Sequence, residues 1–220
     1  MKVKLVKNIL EANDRIAEEN KKIFDENGIF VINVMSAPGA GKTTLLEKTI
    51  HAIKDKIAIG VIEGDIATTR DAERIEATGA PVVQINTDGA CHLDGNMIRG
   101  VMDDLPLSQL DILIIENVGN LVCPAEFKVG ENAKVMLLSV TEGDDKPLKY
   151  PLMFSEASVL LISKIDLLPH TDFNIAKVKK ESLSLNPRLD IIELSAKTGH
   201  GMEEWYGWLQ ERVIMPALQD

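Results

Sequence analysis

The stretch from Val34 to Thr44, V-M-S-A-P-G-A-G-K-T-T, constrains the fold more than any other part of the chain. It follows the apolar run Phe30 to Met35, which is typical of a buried strand, and it leads into residues with helical spacing. A strand, a glycine-rich loop, a Lys-Thr pair and a helix, in this order, are the context of a phosphate-binding loop. Ser36 stands where the usual pattern has its first glycine, so the turn there must accept a Cβ atom.

The chemistry of this loop follows from its residue types. We expect Gly39 and Gly41 to let the backbone turn tightly and direct its N–H groups at phosphate oxygens, aided by the positive end of the next helix. Lys42 can reach the β- and γ-phosphates, and the Thr43 hydroxyl can bind Mg²⁺. The nucleotide-binding residues predicted here are Gly39, Ala40, Gly41, Lys42, Thr43 and Thr44.

Six further apolar runs predict strands, and the segments between them have helical spacing. Strands that are apolar throughout and alternate with helices indicate a parallel sheet covered on both faces. The predicted strands after the first are Ile57 to Glu63, Pro81 to Ile85, Asp111 to Glu116, Lys134 to Val140, Ala157 to Ser163 and Ile191 to Ser195. The predicted helices after the loop helix are Asp71 to Thr78, Asp94 to Asp104, Thr171 to Leu185 and Met202 to Leu218.

The fold class predicted from this pattern is α/β. We expect a three-layer P-loop NTPase with a mostly parallel sheet of about seven strands, helices on both faces and an N-terminal amphipathic helix. That helix should end near Asn27-Gly28, which divides the chain into residues 1–28 and a nucleotide-binding domain of residues 29–220. Its apolar side is predicted to consist of Leu5, Ile9, Ile16 and Ile23, flanked by Val6, Leu10, Ala17 and Phe24.

Two acidic segments follow predicted strands, at the sheet edge where ligands bind in α/β folds. In Glu63-Gly64-Asp65, Asp65 is a candidate Mg²⁺ ligand or water-orienting group, although such an Asp is more often a turn or helix cap. In E-N-V-G, Glu116 can hold Mg²⁺ through water, and the Gly119 N–H can meet the γ-phosphate. We therefore predict catalytic roles for Lys42, Asp65 and Glu116.

Two later segments favour guanine over adenine. S-K-I-D resembles the guanine-reading motif N-K-x-D with Ser163 in place of Asn. The Asp166 carboxylate suits the two donors of guanine, and the Lys164 stem can lie over the base. In S-A-K the Ala196 N–H can donate to guanine O6, with Ser195 and Lys197 beside it. Because no arginine finger or water-positioning Gln accompanies the loop or Gly119, we expect slow intrinsic hydrolysis.

The remaining chemistry lies in C-H-L-D and in the distant Cys123. Cys91, His92 and Cys123 offer two thiolates and one imidazole, ligands that suit Zn²⁺ or Ni²⁺. A buried cysteine is as often a small apolar side chain. Cys123, however, lies four residues past Gly119, within the segment expected to respond to the γ-phosphate.

The composition bounds the setting and the partners. The net charge of −10 and the lack of an evident basic patch argue against nucleic acid. No apolar run approaches the roughly 20 residues of a membrane span, so no membrane partner is expected. Two cysteines and no export signal favour a reducing, cytoplasmic location.

With these motifs the chain resembles the HypB family, nickel-incorporation GTPases of [NiFe]-hydrogenase maturation within the SIMIBI class. The resemblance rests on S-A-P-G-A-G-K-T, E-G-D, T-D-G-A-C-H-L-D, I-E-N-V-G-N-L-V-C-P and E-G-D-D-K-P-L-K-Y-P. It implies a GTP-hydrolysing metallochaperone that forms a homodimer with GTP. The interface of this homodimer is implied to carry a Ni²⁺ or Zn²⁺ site from Cys91, His92 and Cys123 of each subunit. The implied partners are a hydrogenase large-subunit precursor and a HypA-type nickel/zinc maturation protein.

The chain also departs from parts of this family, and alternatives stay open. It lacks a Cys-rich N-terminal site and a His-rich tract, and Asn96 stands where some members have a His. Lys146 or Lys149 is a candidate for reaching the nucleotide of a second subunit, but a solvated charged loop is at least as plausible. The alternatives are a regulatory GTPase with a structural zinc site, a nickel chaperone for another enzyme such as urease, and a small-molecule P-loop kinase. The C-P-H motif of urease GTPases is absent.

Overall fold

The computed structural model describes residues 4–66 and 68–214, and these form one seven-stranded sheet in the order β3-β2-β4-β1-β5-β6-β7. All six strand pairings are parallel, which confirms the predicted α/β architecture. The strands are β1 (Phe30–Ser36), β2 (Ile59–Asp65), β3 (Val82–Asn86), β4 (Ile112–Glu116), β5 (Ala133–Ser139), β6 (Val159–Ser163) and β7 (Asp190–Glu193).

Helices cover both faces of this sheet. Among the described residues, three 3₁₀ segments lie in the connections between helices and strands: Met102–Asp104, Leu107–Gln109 and Ile165–His170. The α-helices of the described residues are α1 (Lys4–Glu26), α2 (Lys42–Ile53), α3 (Arg70–Glu76), α4 (Gly95–Val101), α5 (Cys123–Glu126), α6 (Lys146–Lys149), α7 (Pro151–Glu156), α8 (Ile175–Leu185) and α9 (Met202–Ile214).

The alternation of side chains along each strand builds two apolar layers. In β4, Ile112 and Ile114 pack into the core that α2, α3 and α9 cover. Leu113 and Ile115 point to the opposite face, where α1 and α4 cover them. Because both faces are buried, the strands are apolar throughout, and this is why their positions could be predicted from the sequence.

Several predicted boundaries shift by a few residues. Strand β2 begins two residues later than expected and continues to Asp65, because Gly64 and Asp65 pair with β3. Helix α4 begins after Asp94, whose carboxylate accepts from the Met97 N–H, and it ends at Val101 before a 3₁₀ turn. Helix α8 begins at Ile175 rather than Thr171, because the Asn174 side chain caps it. Helix α9 is described as far as Ile214, and the predicted end at Leu218 lies outside the described residues.

The amphipathic helix α1 is present and packs against α4, but its buried side is not the predicted isoleucine stripe. Ile9 is 51% exposed, and Ile16 and Ile23 are only partly buried. The buried positions of the described part are Asn13, Ala17, Asn20 and Phe24. The side chains of Leu5 and Val6 lie outside the described residues. The predicted flanking residues Ala17 and Phe24 are thus buried, whereas hydrophobic periodicity gave no sign of Asn13 and Asn20 because they are amides.

None of the helices in residues 4–66 and 68–214 is long and apolar enough to cross a membrane. Helix α9 is tied to α2 within the core, where the indole N–H of Trp205 donates to the Thr49 hydroxyl at 2.9 Å.

Gly201 directly precedes α9, and its close contact with the end of β7 can be tested by substitution. Its φ is +70°, and a Cβ atom there would clash with the Glu193 carbonyl oxygen and lie 3.1 Å from the Leu194 Cα. Left-handed backbone alone costs a non-glycine residue about 1–2 kcal/mol. We therefore expect Gly201→Ala to lower the free energy of unfolding by about 2 kcal/mol or more in urea titrations followed by tryptophan fluorescence. Gly207→Ala, within α9 and with open space around it, should instead be neutral or slightly stabilising. Equal stability of the two variants would contradict this account.

Candidate functional site

The phosphate-binding loop joins the end of β1 to the start of α2. Gly39 and Gly41 have φ values of +75° and +104°, a region that favours glycine, so their predicted role in the tight turn fits the backbone. Ser36 is the last residue of β1 and is outside the left-handed region, which is why a Cβ is accepted there. Its hydroxyl donates to the Ala37 carbonyl at 2.6 Å and accepts from the Lys42 ammonium at 3.3 Å.

Two buried carboxyl groups lie beside this loop. Glu63 of β2 and Glu116 of β4 are register partners in adjacent strands, with 3% and 2% exposure. The Thr43 hydroxyl donates to Glu116 Oε1 at 2.9 Å, whereas the Oε2 atoms of both glutamates have no hydrogen-bond partner in the protein. Glu63 was missed by the sequence reasoning, although an acid at the end of an apolar strand is the signal that could have found it.

Burial dominates the electrostatics of this pair. Burial, and then the negative charge of Glu116, raise the pKa of Glu63 well above its usual range. Burial also raises the pKa of Glu116, while the charge of Lys42 opposes that rise. Unpartnered carboxylate oxygens and a threonine hydroxyl form a hard oxygen donor set, so they fit a divalent cation such as Mg²⁺.

The cavity around these groups has a volume of about 240 Å³. Asp65 borders it two residues beyond Glu63, and one of its carboxylate oxygens accepts from the Thr68 N–H at 2.7 Å. Gly119 lies on the opposite wall, where a Cβ atom would come 3.0 Å from Pro38. The structure therefore brings the predicted residues Lys42, Thr43, Asp65, Glu116 and Gly119 to one place.

A second cavity of about 290 Å³ opens beside the loop and contains the residues predicted to read the base. The Ser195 hydroxyl donates to Asp166 Oδ1 at 2.6 Å and accepts from the Thr198 N–H at 3.2 Å. This fixes the Asp166 carboxylate at the cavity wall. The predicted residues that line the cavity are Ala40, Gly41, Thr44, Lys164, Asp166, Ser195, Ala196 and Lys197.

Ser163 and Lys164 connect the base cavity to the phosphate loop. The buried Ser163 hydroxyl donates to the Ala40 carbonyl at 2.9 Å, and the Lys164 ammonium donates to the Gly39 carbonyl at 2.5 Å. Lys164 takes a left-handed φ of +59° to reach it. The serine that replaces the asparagine of N-K-x-D thus holds the loop with its shorter side chain.

The predicted metal ligands also come together, although they are distant in sequence. The Sγ atoms of Cys91 and Cys123 are 3.0 Å apart, and the Cys91 Sγ is 3.7 Å from His92 Nδ1. One ligand atom from each of the three residues lies within 4.8 Å of the others. The His92 ring packs on Phe127 with centroids 4.0 Å apart, and burial lowers the pKa of His92, which favours the neutral form that binds metal. Two thiols and one imidazole fit Zn²⁺ or Ni²⁺.

Two asparagines hold the metal-ligand loop to the E-N-V-G segment. The fully buried Asn117 Oδ1 accepts from both the Leu93 N–H and the Val118 N–H at 3.0 Å. The Asn120 amide donates to the Cys91 carbonyl at 3.3 Å and accepts from the Val122 N–H at 2.9 Å. No role was predicted for these asparagines from the sequence, because neither is a ligand or a nucleophile.

Three other candidates lie outside these clusters. Asn96 is exposed on α4 and does not belong to the metal group. Lys149 pairs with Asp145 within the same short helical segment at 2.5 Å, and its side chain is 60% exposed. The Lys146 ammonium lies 5.6 Å from the centre of the Tyr150 ring. Within one chain, neither lysine is among the residues that line the two cavities described above.

The sheet order, the glycine-rich loop and the two cavities define a P-loop nucleotide-binding protein of the parallel α/β class. Residues 30–193 match the family described as CobW/HypB/UreG, nucleotide-binding domain. The chain is 51% identical over 217 residues to "Hydrogenase maturation factor HypB" of Rhizobium leguminosarum bv. viciae, an alignment that covers 99% of this chain and 73% of that protein. The chain therefore belongs to the CobW/HypB/UreG family.

Two solved structures have the same fold. The crystal structure of HypB from Helicobacter pylori in complex with nickel matches with a TM-score of 0.88 and 42% identity, over 93% of this chain and 96% of that one. The hydrogenase maturation factor HypB from Archaeoglobus fulgidus matches with a TM-score of 0.87 and 40% identity, over 92% and 99%. The resemblance to HypB that the motifs indicated is thereby confirmed.

The buried carboxyl pair predicts a specific pH dependence of stability. A carboxyl group whose pKa is raised in the folded protein stabilises the fold below its ordinary pKa of 4.5, and this contribution is lost as the pH rises above that value. One proton is worth at most about 1.4 kcal/mol per pH unit. In protein free of metal and nucleotide, we expect Glu63→Gln to exceed the wild type in free energy of unfolding at pH 8 by about 1 kcal/mol or more, with the difference closing toward pH 5.

Urea titrations across this pH range measure that difference. Glu76→Gln, which removes an exposed carboxylate from the surface of α3, controls for the change in net charge. Parallel pH profiles for the wild type and Glu63→Gln would show that Glu63 is not held in its protonated form.

Proposed function

We propose that this chain is a GTP-hydrolysing metallochaperone that supplies Ni²⁺ for the maturation of [NiFe]-hydrogenase. The observation that carries the proposal is the position of the Cys91-His92-Cys123 group. Its segments are attached to E-N-V-G, the segment that borders the phosphate cavity. The names of the relatives support the cargo and its destination. The proposed partners are a hydrogenase large-subunit precursor and a HypA-type maturation protein.

The nucleotide chemistry is assigned to residues around the phosphate loop. The loop N–H groups and Lys42 would bind and neutralise the phosphates, and Thr43 with Glu116 and Glu63 would hold Mg²⁺, which supplies charge neutralisation when bound. Asp65 is the proposed water-orienting group. The described residues that line the phosphate cavity include no arginine or glutamine, which supports a slow intrinsic rate of hydrolysis.

Guanine recognition is assigned to the second cavity. The free oxygen of Asp166 would accept from the donors of guanine, because Oδ1 already accepts from Ser195. The N–H of Ala196 would donate to O6. An adenine base offers an acceptor at N1 where guanine has a donor, so the Asp166 carboxylate would repel it.

The metal group supports a homodimer. Three ligands leave a tetrahedral metal ion one ligand short, so water or a second subunit must complete it. Two exposed apolar side chains lie near this edge of the sheet: Val122, beside Cys123, is 51% exposed, and Ile66, after β2, is 49% exposed. An interface that covers them would bring two metal groups close together. Lys146 and Lys149 remain candidates for reaching across to the partner's nucleotide.

The base assignment predicts a change of nucleotide specificity. A site built around a substrate hydrogen bond rejects an analogue that lacks it by roughly 10⁴ to 10⁵. We expect Asp166→Asn to lose GTP affinity by a large factor and to gain affinity for xanthosine triphosphate, whose 2-oxo group can accept from the new amide. Titrations with both nucleotides measure this exchange. Lys42→Ala controls for phosphate binding and should lose hydrolysis of either nucleotide. Unchanged GTP affinity in Asp166→Asn would refute guanine reading by this residue.

The shared segment predicts that Ni²⁺ and nucleotide binding depend on each other. Two sites that bias one bistable segment must influence each other by the same factor, typically about 1–3 kcal/mol, or roughly 5- to 150-fold. We expect Ni²⁺ affinity to differ by such a factor between the GDP state and a non-hydrolysable GTP analogue, with a reciprocal change in nucleotide affinity. Titrations of both ligands measure the two factors, and light scattering on the same samples reports whether the GTP state is dimeric.

The controls for this experiment separate the alternatives. Cys91→Ala and Cys123→Ala should lose the metal and the coupling, while nucleotide binding to the monomer persists. Tight Zn²⁺ binding with equal affinity in both nucleotide states would favour a regulatory GTPase with a structural zinc site. In that case the GTPase cycle could not drive metal release through this group.

A further inference from the structure

Helix α1 contains two buried asparagines that contact other parts of the chain. Asn13 is 7% exposed and Asn20 is fully buried. They are seven positions apart, about two helical turns, so their side chains lie on the same side of the helix. A buried amide destabilises a protein unless its donors and acceptors are paired. The partners of these two amides therefore explain why they are tolerated there.

Each asparagine joins the same two segments of the chain. Asn13 Oδ1 accepts from the Gly95 N–H at 2.8 Å, and its Nδ2 donates to the Lys128 carbonyl at 2.9 Å. Asn20 Nδ2 donates to the Gly95 carbonyl at 2.7 Å and, at a longer 3.4 Å, to the Val129 carbonyl. Thus both backbone groups of Gly95 and two carbonyls of the other segment are bound by α1.

These two segments are the ones that carry the metal ligands. Gly95 lies three residues after His92, and Lys128 lies five residues after Cys123. The contact between α1 and these two segments is close because the facing residues are alanine and glycine. A Cβ atom on Gly95 would lie 3.1 Å from the Ala17 nitrogen, and one on Gly130 would lie 3.1 Å from the Ala17 carbonyl oxygen. The helix backbone therefore lies directly against both segments, and the asparagines fix their separation.

The guanidinium of Arg99 orients the second amide. Its Nε donates to Asn20 Oδ1 at 2.7 Å, which leaves the Asn20 Nδ2 to face Gly95 and Val129. The same guanidinium pairs with Glu19 at 3.1 Å on the helix surface. The Nδ2 donors and the Oδ1 acceptor of Asn20 thus all have hydrogen-bond partners, which hold the side chain in one orientation.

We propose that Asn13 and Asn20 are positioning residues for the Cys91-His92-Cys123 metal group. They hold the Cys91-His92 segment and the Cys123 segment at the separation at which the two sulfur atoms meet. This inference rests on the proposed function, in which the group binds Ni²⁺. Metal sites whose ligands are held in place before binding avoid the free-energy cost of ordering them, and loss of supporting contacts typically lowers metal affinity 10- to 100-fold.

The first test is a set of single substitutions on α1. We expect Asn13→Ala and Asn20→Ala to weaken Ni²⁺ binding by about 10-fold in titrations against a competing chelator. This is the lower end of the range for groups that hydrogen-bond to metal ligands, because these asparagines bind backbone groups beyond the ligands. The thiolate-to-nickel charge-transfer absorbance should weaken or shift, because the sulfur geometry is less well defined. GDP affinity should change little, since neither residue touches the nucleotide cavities. Asn27→Ala is the matched control, because the Asn27 amide donates only within its own helix turn, to the Ile23 carbonyl.

A second measurement uses the unmodified protein, in case either variant fails to fold. If the asparagines and the metal stabilise the same arrangement, Ni²⁺ should slow amide hydrogen exchange in the peptide that contains Gly95, and a peptide from α8 should not change. Equal exchange with and without Ni²⁺ would overturn the inference, as would folded alanine variants that bind Ni²⁺ like the wild type. A wild-type protein that binds no Ni²⁺ at all would refute the proposed metal function as well.

Discussion

The parallel pairing of β1 with β4 brings the phosphate loop and the E-N-V-G segment to the same edge of the sheet. Val34 is the register partner of Glu116, and the Asn117 N–H donates to the Val34 carbonyl at 2.9 Å. The two chain segments that leave these strands are therefore in contact from their first residue. A Cβ atom on Gly119 would lie 3.0 Å from Pro38, so the two segments are tightly packed against each other.

A second pairing of β4, with β2, places two buried carboxyl groups side by side. β2 lies on the other side of β4, so Glu63 and Glu116 become neighbours near the carboxyl ends of these two strands. Burial of two carboxyl groups destabilises a fold unless they are protonated or bound to a cation. Selection for stability alone would favour apolar residues at these positions, like those at Ile112–Ile115 of β4. The pair is understandable as a cation site held ready beside Lys42 and Thr43.

Much of the fold and of the nucleotide site could be predicted from the sequence because both depend on local patterns. Apolar runs identified the strands, and the motifs at the ends of β4 and β6 identified Glu116 and Asp166. Glu63 was missed because its importance depends on which strand lies next to β2, and strand order is not readable from one sequence. Asn117 was missed because an asparagine after a strand usually marks a turn.

The buried side of α1 was predicted only in part, through Ala17 and Phe24, for a related reason. Periodicity reports apolar residues, whereas this helix uses Asn13 and Asn20 to bind backbone groups more than 70 positions away. Polar contacts over such separations leave no periodic signal in the chain. The exposed Ile9 contributed to the apparent pattern without contributing to the packing of the described residues.

These contacts also decide how a nucleotide could act on the metal group. Asn117 ties the Cys91-His92 segment to E-N-V-G at Leu93, and the backbone ties Cys123 to the same segment through Gly119. If both segments followed E-N-V-G equally, a shift there would carry the three ligands along together and leave their distances unchanged. Their far ends, however, are bound to α1 at Gly95 and Lys128. A shift of E-N-V-G would then rotate the Cys91-His92 segment about Gly95 and the Cys123 segment about Lys128. Two unequal rotations would change the separation of the sulfur atoms. In the proposed coupling, the contacts of α1 are thus as necessary as the response of E-N-V-G to the nucleotide.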